Sequence, residues 1–279
     1  MSTGDPVGLR VMTFNIRGFT TPVDGRHRWS LRADHNVATI REQEPDLVGV
    51  QELQAESFAT YREQLGEYEV VLGPAAGRGR RHEYNAILFD PGRLEVVDAG
   101  GFWLSETPET RSASWGTQNV RAANWLTFAV RGTGARFRHV NVHLDHWSGL
   151  ARDRSAELLV RRLGDEGLPT VVTGDFNCPP GPGPHRTFLA RGFEDTYAEQ
   201  GPDDGTFHGF GGVTFAAARG FHRWRHGPRP LRLDWILVGD GDGGGRWRVE
   251  HAAIVRDRDP ATGAPPSDHD PVLAELSLT

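Results

Sequence analysis

Nine short apolar runs recur along this chain, and glycine, proline or aspartate bounds most of them before they reach helical length. "LRVMTFNI" (9–16), "DLVGVQE" (46–52), "YEVVLG" (68–73), "YNAILF" (84–89), "ANWLTFAV" (123–130), "FRHVNVHL" (137–144), "PTVVTGD" (169–175), "RLDWILV" (232–238) and "PVLAELSL" (271–278) are rich in β-branched or aromatic residues. That pattern predicts strands. Between them, 30–44 and 149–164 carry helical spacing, the first with Ser30 as N-cap and Leu31, Val37 and Ile40 on its apolar stripe, and a weaker helix covers 56–65. The Gly/Pro clusters at 178–184 and 239–245 are short and flanked by strand candidates, so they read as loops inside one domain spanning 1–279, with its core from about residue 9.

Chemistry collects where these runs stop. Asn15 closes the first, Glu52 the second and His143 the sixth; Asp175 and Asn177 follow the seventh, Asp234 lies in the eighth, and Asp268 and His269 precede the ninth. In a layered α/β fold, strand ends gather at one rim, where residues distant in sequence build a site. Singly, each has a bland alternative: an Asx turn for "GDFN", a surface carboxylate for Glu52, a satisfied rim histidine for His143. The combination is what points to a site.

Composition removes several function classes. At 279 residues and 37% hydrophobic, the chain can bury a sizeable core. A formal charge of −6 excludes a globally basic nucleic-acid surface but permits a cation that meets phosphate. All 31 basic residues are arginine, so no single arginine is diagnostic. One cysteine, Cys178, excludes an intramolecular disulfide and a cysteine zinc site within one chain. No signal-peptide layout and no membrane-length apolar run is present, so the expectation is a cytoplasmic protein, read as a monomer with no obligate protein partner.

Taken in order, "TFNIRG" (13–18), "VGVQE" (48–52), "NVHLDH" (141–146), "GDFN" (174–177), "RLDWILV" (232–238) and "SDHDPV" (267–272) resemble the signature blocks of the endonuclease/exonuclease/phosphatase superfamily, the fold shared by pancreatic-type deoxyribonuclease and exonuclease III. "EYNAILFD", "GGFWLSETPE" and "GTFHGFGG" resemble a bacterial branch of metal-dependent hydrolases within it. The resemblance implies a four-layer α/β/β/α sandwich of two mixed sheets flanked by helices, with a cleft at one rim.

It also implies roles. Glu52 would be the principal Mg²⁺ or Mn²⁺ ligand, with Asn15 beside it and Asp268 reaching the metal directly or through water. Hydrolysis of a phosphate ester needs a hard cation, and hard cations take such oxygen ligands. Asp175 would orient or deprotonate the attacking water, and Asn177 would hold a phosphate oxygen. His269, backed by Asp234, would activate water or steady transition-state charge. His143 would donate to a phosphoryl oxygen or protonate the leaving group, with Glu83 as its carboxylate partner. Arg121 and His208 would line the substrate pocket. Asp270 inherits no role and reads as a polar residue leading into the last strand.

The implied activity is a Mg²⁺-dependent phosphoesterase, with a phosphodiesterase or nuclease preferred on analogy. A phosphomonoesterase acting on a small phosphometabolite or nucleotide is the alternative, and a non-catalytic phosphate-binding module the second. That module would have lost Glu52, Asp175 or His269; all three are present. A zinc reading of "HLDH" (143–146) or "HRWRH" (222–226) is disfavoured, because H-x-x-H leaving a strand does not place both rings on one face. "FHRWRHGPRPLR" (221–232) could grip nucleic acid or equally cap a small pocket.

Overall fold

The computed structural model describes residues 6–18, 22–77, 82–117, 119–163, 167–197, 205–211 and 231–279. Two six-stranded mixed sheets pack face to face. The first contains β1 (Val7–Asn15), β2 (Leu47–Leu53), β3 (Glu69–Leu72), β4 (Tyr84–Phe89), β11 (Trp247–Ile254) and β12 (Val272–Leu278) in the order β11-β12-β1-β2-β4-β3. The second contains β5 (Leu94–Trp103), β6 (Ala122–Val130), β7 (Arg136–His143), β8 (Thr170–Asp175), β9 (Phe193–Asp195) and β10 (Asp234–Gly239) in the order β5-β6-β7-β8-β10-β9.

Helices α1 (Trp29–Gln43) and α2 (Ala55–Gln64) cover the outer face of the first sheet, and α3 (Gly149–Leu163) and α4 (Pro184–Leu189) that of the second. Each sheet is therefore apolar on both faces. In β1, Leu9 and Val11 join the cluster between the sheets, while Met12 and Phe14 face the α1/α2 layer. Phe89 and Phe128 meet edge to face across the inter-sheet core at 5.1 Å, with Phe137 beside them. Emptying such a position to alanine costs about 3–5 kcal/mol, so this aromatic column is a main determinant of sheet packing.

Helix α1 begins one residue earlier than Ser30. Arg28 is its cap residue without a side-chain cap bond, and Leu31 is 59% exposed, so the buried stripe runs through Trp29, Val37 and Ile40 instead. Ser148 does cap α3, its Oγ accepting the Ala151 N–H at 3.1 Å.

Topology decides where the site forms. β1 and β2 run parallel, and β4 and β12 run antiparallel to their neighbours in that sheet. Thus the ends of β1 and β2 share a rim with the starts of β4 and β12. In the second sheet β7 and β8 are parallel while β6 and β10 are antiparallel, which brings the ends of β7 and β8 to the starts of β6 and β10. Register does the rest: Asp175 is the cross-strand partner of both His143 and Asp234.

Just below that rim, a buried polar set ties the sheets together. Gln51 Nε2 donates to Asn141 Oδ1 at 2.7 Å, Thr173 Oγ donates to the same oxygen at 3.2 Å, and Asn141 Nδ2 donates to the carbonyls of Val50 and Ala86. The approach is close enough to require glycine at 49, where a Cβ would collide with Thr173 and Asn141.

Candidate active site

A cleft of about 430 Å³ opens at this rim between the two sheets. Glu52, Glu83, Arg121, His143, Asp175, Asn177, Asp268 and His269 line it, all of them anticipated from sequence. Asn15 lies against its floor, 1% exposed, and Asp234 stands behind His269.

On the first-sheet side, Asn15 Nδ2 donates to Glu52 Oε1 at 3.1 Å and to Asp175 Oδ2 at 3.0 Å, while its Oδ1 accepts the Arg17 N–H at 3.0 Å. One amide thus holds a carboxylate from each sheet. Arg17 donates to Asp24 at 3.3 Å and approaches Asp268 Oδ2 at 3.9 Å. Burial works against the Arg17 charge, but Glu52, Asp268 and Asp24 outweigh it and raise its pKa. Arg17, Glu52 and Asn177 all adopt left-handed backbone, with φ of 48°, 61° and 51°. For Arg and Glu that conformation is uncommon and costs about 1–3 kcal/mol, and at Glu52 it turns the carboxylate off the end of β2 into the cleft.

On the second-sheet side, His269 Nδ1 donates to Asp234 Oδ2 at 2.8 Å, and the Thr206 hydroxyl donates to that same oxygen at 2.5 Å. His269 Nε2 faces Asp175 Oδ2 at 3.8 Å, and the Phe207 ring lies 4.9 Å from the imidazole centroid. Burial alone would discharge His269, yet Asp234 and then Asp175 push its pKa up to about 10. Burial raises Asp175 to about 7, against the pull of His269. Asn177 N–H donates to Asp175 Oδ1 at 2.9 Å, and its side-chain amide donates to the Leu144 carbonyl at 3.0 Å.

The third group departs from the expected pairing. Glu83 and His143 stand 3.9 Å apart, but Arg121 comes closer to both, donating to Glu83 Oε1 at 2.6 Å and reaching His143 Nδ1 at 3.0 Å. Arg121 also reaches His146 Nδ1 at 3.2 Å. The two histidines of "HLDH" do converge, each turning its Nδ1 to the same arginine; "HRWRH" (222–226) and most of 221–232 lie outside the described residues. Burial, Arg121, His146 and His269 together hold His143 well below the ordinary histidine range.

His208 is not among the lining residues. Its ring turns to Asp270, 3.6 Å away, and accepts the Phe210 N–H, while its backbone N–H donates to the Asp268 carbonyl. Phe207 occupies the cleft wall instead. Asp270, 1% exposed, anchors the segment by receiving Arg256 at 3.1 Å and Arg258 at 2.7 Å. Sequence reasoning also passed over Arg17, Gln54, Asn119 and His146 as lining residues and Thr206 as a support. "TFNIRG", "HLDH" and "GTFHGF" contained three of these, so the signal was the neighbourhood of each block.

Two donor sets could be considered for a cation. Asp175, Asp234 and His269 bring one donor atom each within 4.8 Å of one another. Within that set Asp234 Oδ2 already holds the His269 Nδ1 proton at 2.8 Å, which a cation between the two would have to displace. Glu52 and Asp268 offer carboxylate oxygens at the cleft wall with Asn15 alongside, a donor set suited to a hard divalent ion.

Two six-stranded sheets, flanking helices and a rim cleft of carboxylates and histidines define a hydrolase-like α/β sandwich, and the comparison with known proteins fixes its lineage. Residues 12–269 match the model of the Endonuclease/Exonuclease/phosphatase family, and the chain belongs to that family. Among solved structures, a family member from Bacteroides thetaiotaomicron is 26% identical with a TM-score of 0.83, covering 98% of each chain. Another from Bacteroides vulgatus is 30% identical with a TM-score of 0.81, covering 98% of this chain and 100% of that one. A mannosyl-6-phosphatase from Bacteroides thetaiotaomicron is 26% identical with a TM-score of 0.80, covering 96% and 99%.

Proposed function

We propose that the protein is a divalent-cation-dependent phosphoesterase that acts on small phosphorylated metabolites, with phosphorylated sugars the best-fitting class. The observation that carries the reading is Asp175: its Oδ2 lies 3.0 Å from Asn15 Nδ2, 3.5 Å from His143 Nε2 and 3.8 Å from His269 Nε2, at the join of both sheets. A carboxylate with its pKa pushed up to about 7 is matched to taking a proton from water near neutral pH.

Glu52 and Asp268 would hold Mg²⁺ or Mn²⁺, with Asn15 beside it. When bound, the ion would neutralise phosphoryl oxygens and acidify a coordinated water. Asp175 orients the attacking water and accepts its proton. Cationic His269, fixed by Asp234, stabilises charge building on phosphorus-bound oxygen, worth about 3–4 kcal/mol for one well-placed donor. Asn177 and His143 line the same cleft.

Small esters are favoured over polymers for a physical reason. A nucleic-acid strand is gripped by several unpaired cations. Among the described residues that line the cleft, the arginines are Arg17 and Arg121, and each is already bonded to a carboxylate. The cleft volume suits a small ligand. The name of the mannosyl-6-phosphatase relative points the same way.

The deciding assay uses purified protein with Mg²⁺, Mn²⁺ or EDTA on monoester and diester chromogens, a sugar-phosphate panel, plasmid, single-stranded DNA and RNA, with His269→Ala as control. We expect cation-dependent release of phosphate from monoesters. Activity that is cation-independent, or that survives His269→Ala, sinks the mechanism; salt-sensitive cleavage of nucleic acid with no monoesterase activity would make the enzyme a nuclease instead.

A further inference from the structure

An arginine side chain carries five N–H donors and no acceptor. That asymmetry decides the protonation of whatever it touches. Arg121, 6% exposed just before β6, points Nη1 at His143 Nδ1 from 3.0 Å and Nη2 at His146 Nδ1 from 3.2 Å. Each Nδ1 must present a lone pair, because a protonated nitrogen would set hydrogen against hydrogen. Each ring then carries its one proton on Nε2. Glu83 clamps Arg121 Nη1 at 2.6 Å, so the fork does not need the histidines to hold it in place.

We infer that Arg121 locks His143 as the neutral Nε2–H tautomer, so that His143 serves the reaction as a fixed hydrogen-bond donor and not as the acid that protonates the leaving group. The step it would serve rests on the phosphoesterase reading above; the tautomer does not.

Among the described residues, the groups facing the ring fall on two sides. Arg121 and His146 lie on the Nδ1 side, Asp175 lies 3.5 Å from Nε2, and His269 stands beyond Asp175. The Glu83 carboxylate lies 3.9 Å from Nδ1, and Arg121 is closer to both. The contrast with His269 is geometric. Its Nδ1 meets the carboxylate of Asp234, which stabilises a second proton; the Nδ1 of His143 meets a permanent cation, which forbids one. His143 and His269 are therefore not a symmetrical pair on either side of phosphorus. One is an imidazolium, and the other is a neutral donor whose Nε2–H can bond a phosphoryl oxygen while keeping its hydrogen throughout. Arg121 acts through His143 and is a positioning residue in this respect.

The test is ¹⁵N NMR of the histidine rings in the full chain without added cation, from about pH 5.5 to about 9. The expected result is His143 with unprotonated Nδ1 and protonated Nε2 at every pH, and the same pattern for His146. Glu83→Gln leaves this unchanged, whereas Arg121→Met takes the donor away from Nδ1, so a population of His143 protonated on Nδ1 should appear. Glu83→Gln keeps the clamp neutral but shaped, so the readout survives if Arg121→Met does not fold. In turnover, His143→Gln keeps an N–H donor and loses the proton carrier. It should retain activity within about tenfold to thirtyfold of wild type, while loss of a general acid would cost about 10²–10⁴-fold. A wild-type His143 signal that carries a proton on Nδ1, or titrates between about 6 and 8, overturns the proposal. So does a His143→Gln variant as inactive as His143→Ala. Absence of any phosphoesterase activity would remove the functional reading and leave the NMR result standing on its own.

Discussion

Thr206 donates its hydroxyl hydrogen to the same Asp234 oxygen that accepts the His269 Nδ1 proton, at 2.5 Å. The Thr206 oxygen in turn accepts the Leu233 and Asp234 backbone N–H groups at 2.9 and 3.2 Å. A single side chain thereby sets both the charge distribution on Asp234 and the backbone from which it projects. Thr206→Val keeps the shape and removes the donor. A hydrogen bond to a charged group contributes about 1.5–3 kcal/mol, so kcat should fall about tenfold to a hundredfold with KM little changed. Steady-state kinetics on the best substrate gives the answer, and a change in KM alone would contradict the role.

The pH profile follows from the same chain. Asp175 must be ionised to accept a proton and His269 must be protonated to stabilise charge. With pKa values of about 7 and about 10, activity should rise through the first and fall through the second. Bound cation shifts the acid limb downward, since it favours the ionised carboxylate. Asp234→Asn removes the principal group that raises His269, so the alkaline limb should move to lower pH. A profile of the variant that overlays the wild type would rule out His269 as the alkaline group.

Removal of the cation should be readable without turnover. Mg²⁺ or Mn²⁺ bound to the folded chain stabilises it by about 2.7 kcal/mol at a hundredfold excess over Kd. A rise in Tm is expected for wild type, and Glu52→Gln should abolish it. Asp268→Asn should weaken it. Equal stabilisation of Glu52→Gln and wild type would place the ion elsewhere.

A fourth expectation concerns stability away from the cleft. Asp195 accepts Arg232 at 2.6 and 3.0 Å and His185 at 2.9 Å; burial would raise its pKa, but these bonds win and lower it to about 2. A folded-state pKa below the unfolded value stabilises above the unfolded pKa and loses that contribution as pH falls toward the folded one. The depression corresponds to about 2 kcal/mol at neutral pH. Asp195→Asn should lower the urea midpoint at pH 7, and the gap from wild type should close between about pH 4 and pH 2.

Much of the site was legible because its residues are the terminal residues of apolar runs, and strand ends are visible in a sequence. Asn15, Glu52 and Asp175 end such runs, Asp234 begins β10, and His269 lies just ahead of β12. β5, β9 and β11 were not legible, and all three are edge strands. β5 reads "LEVVDAGGFW", with most of its residues exposed or half-buried, so the apolar run that betrays an inner strand is missing. Spacing along the chain also could not say that Arg121 stands between Glu83 and His143. That relation is set by β4, β6 and β7 crossing at one rim, and no local pattern encodes it. For the same reason the ring of His208, next to Phe207, points to Asp270 and not to the cleft: adjacent residues of an extended segment face opposite ways.

β12 sits between β11 and β1, and the segment leading into it carries Asp268 and His269. A chain emerging from the ribosome with every other strand complete would still hold Asn15, Glu52, His143 and Asp175 around an unfinished cleft. The cleft is thus completed only when β12 pairs with β1, the strand from the opposite end of the described residues, and brings Asp268 and His269 to the rim.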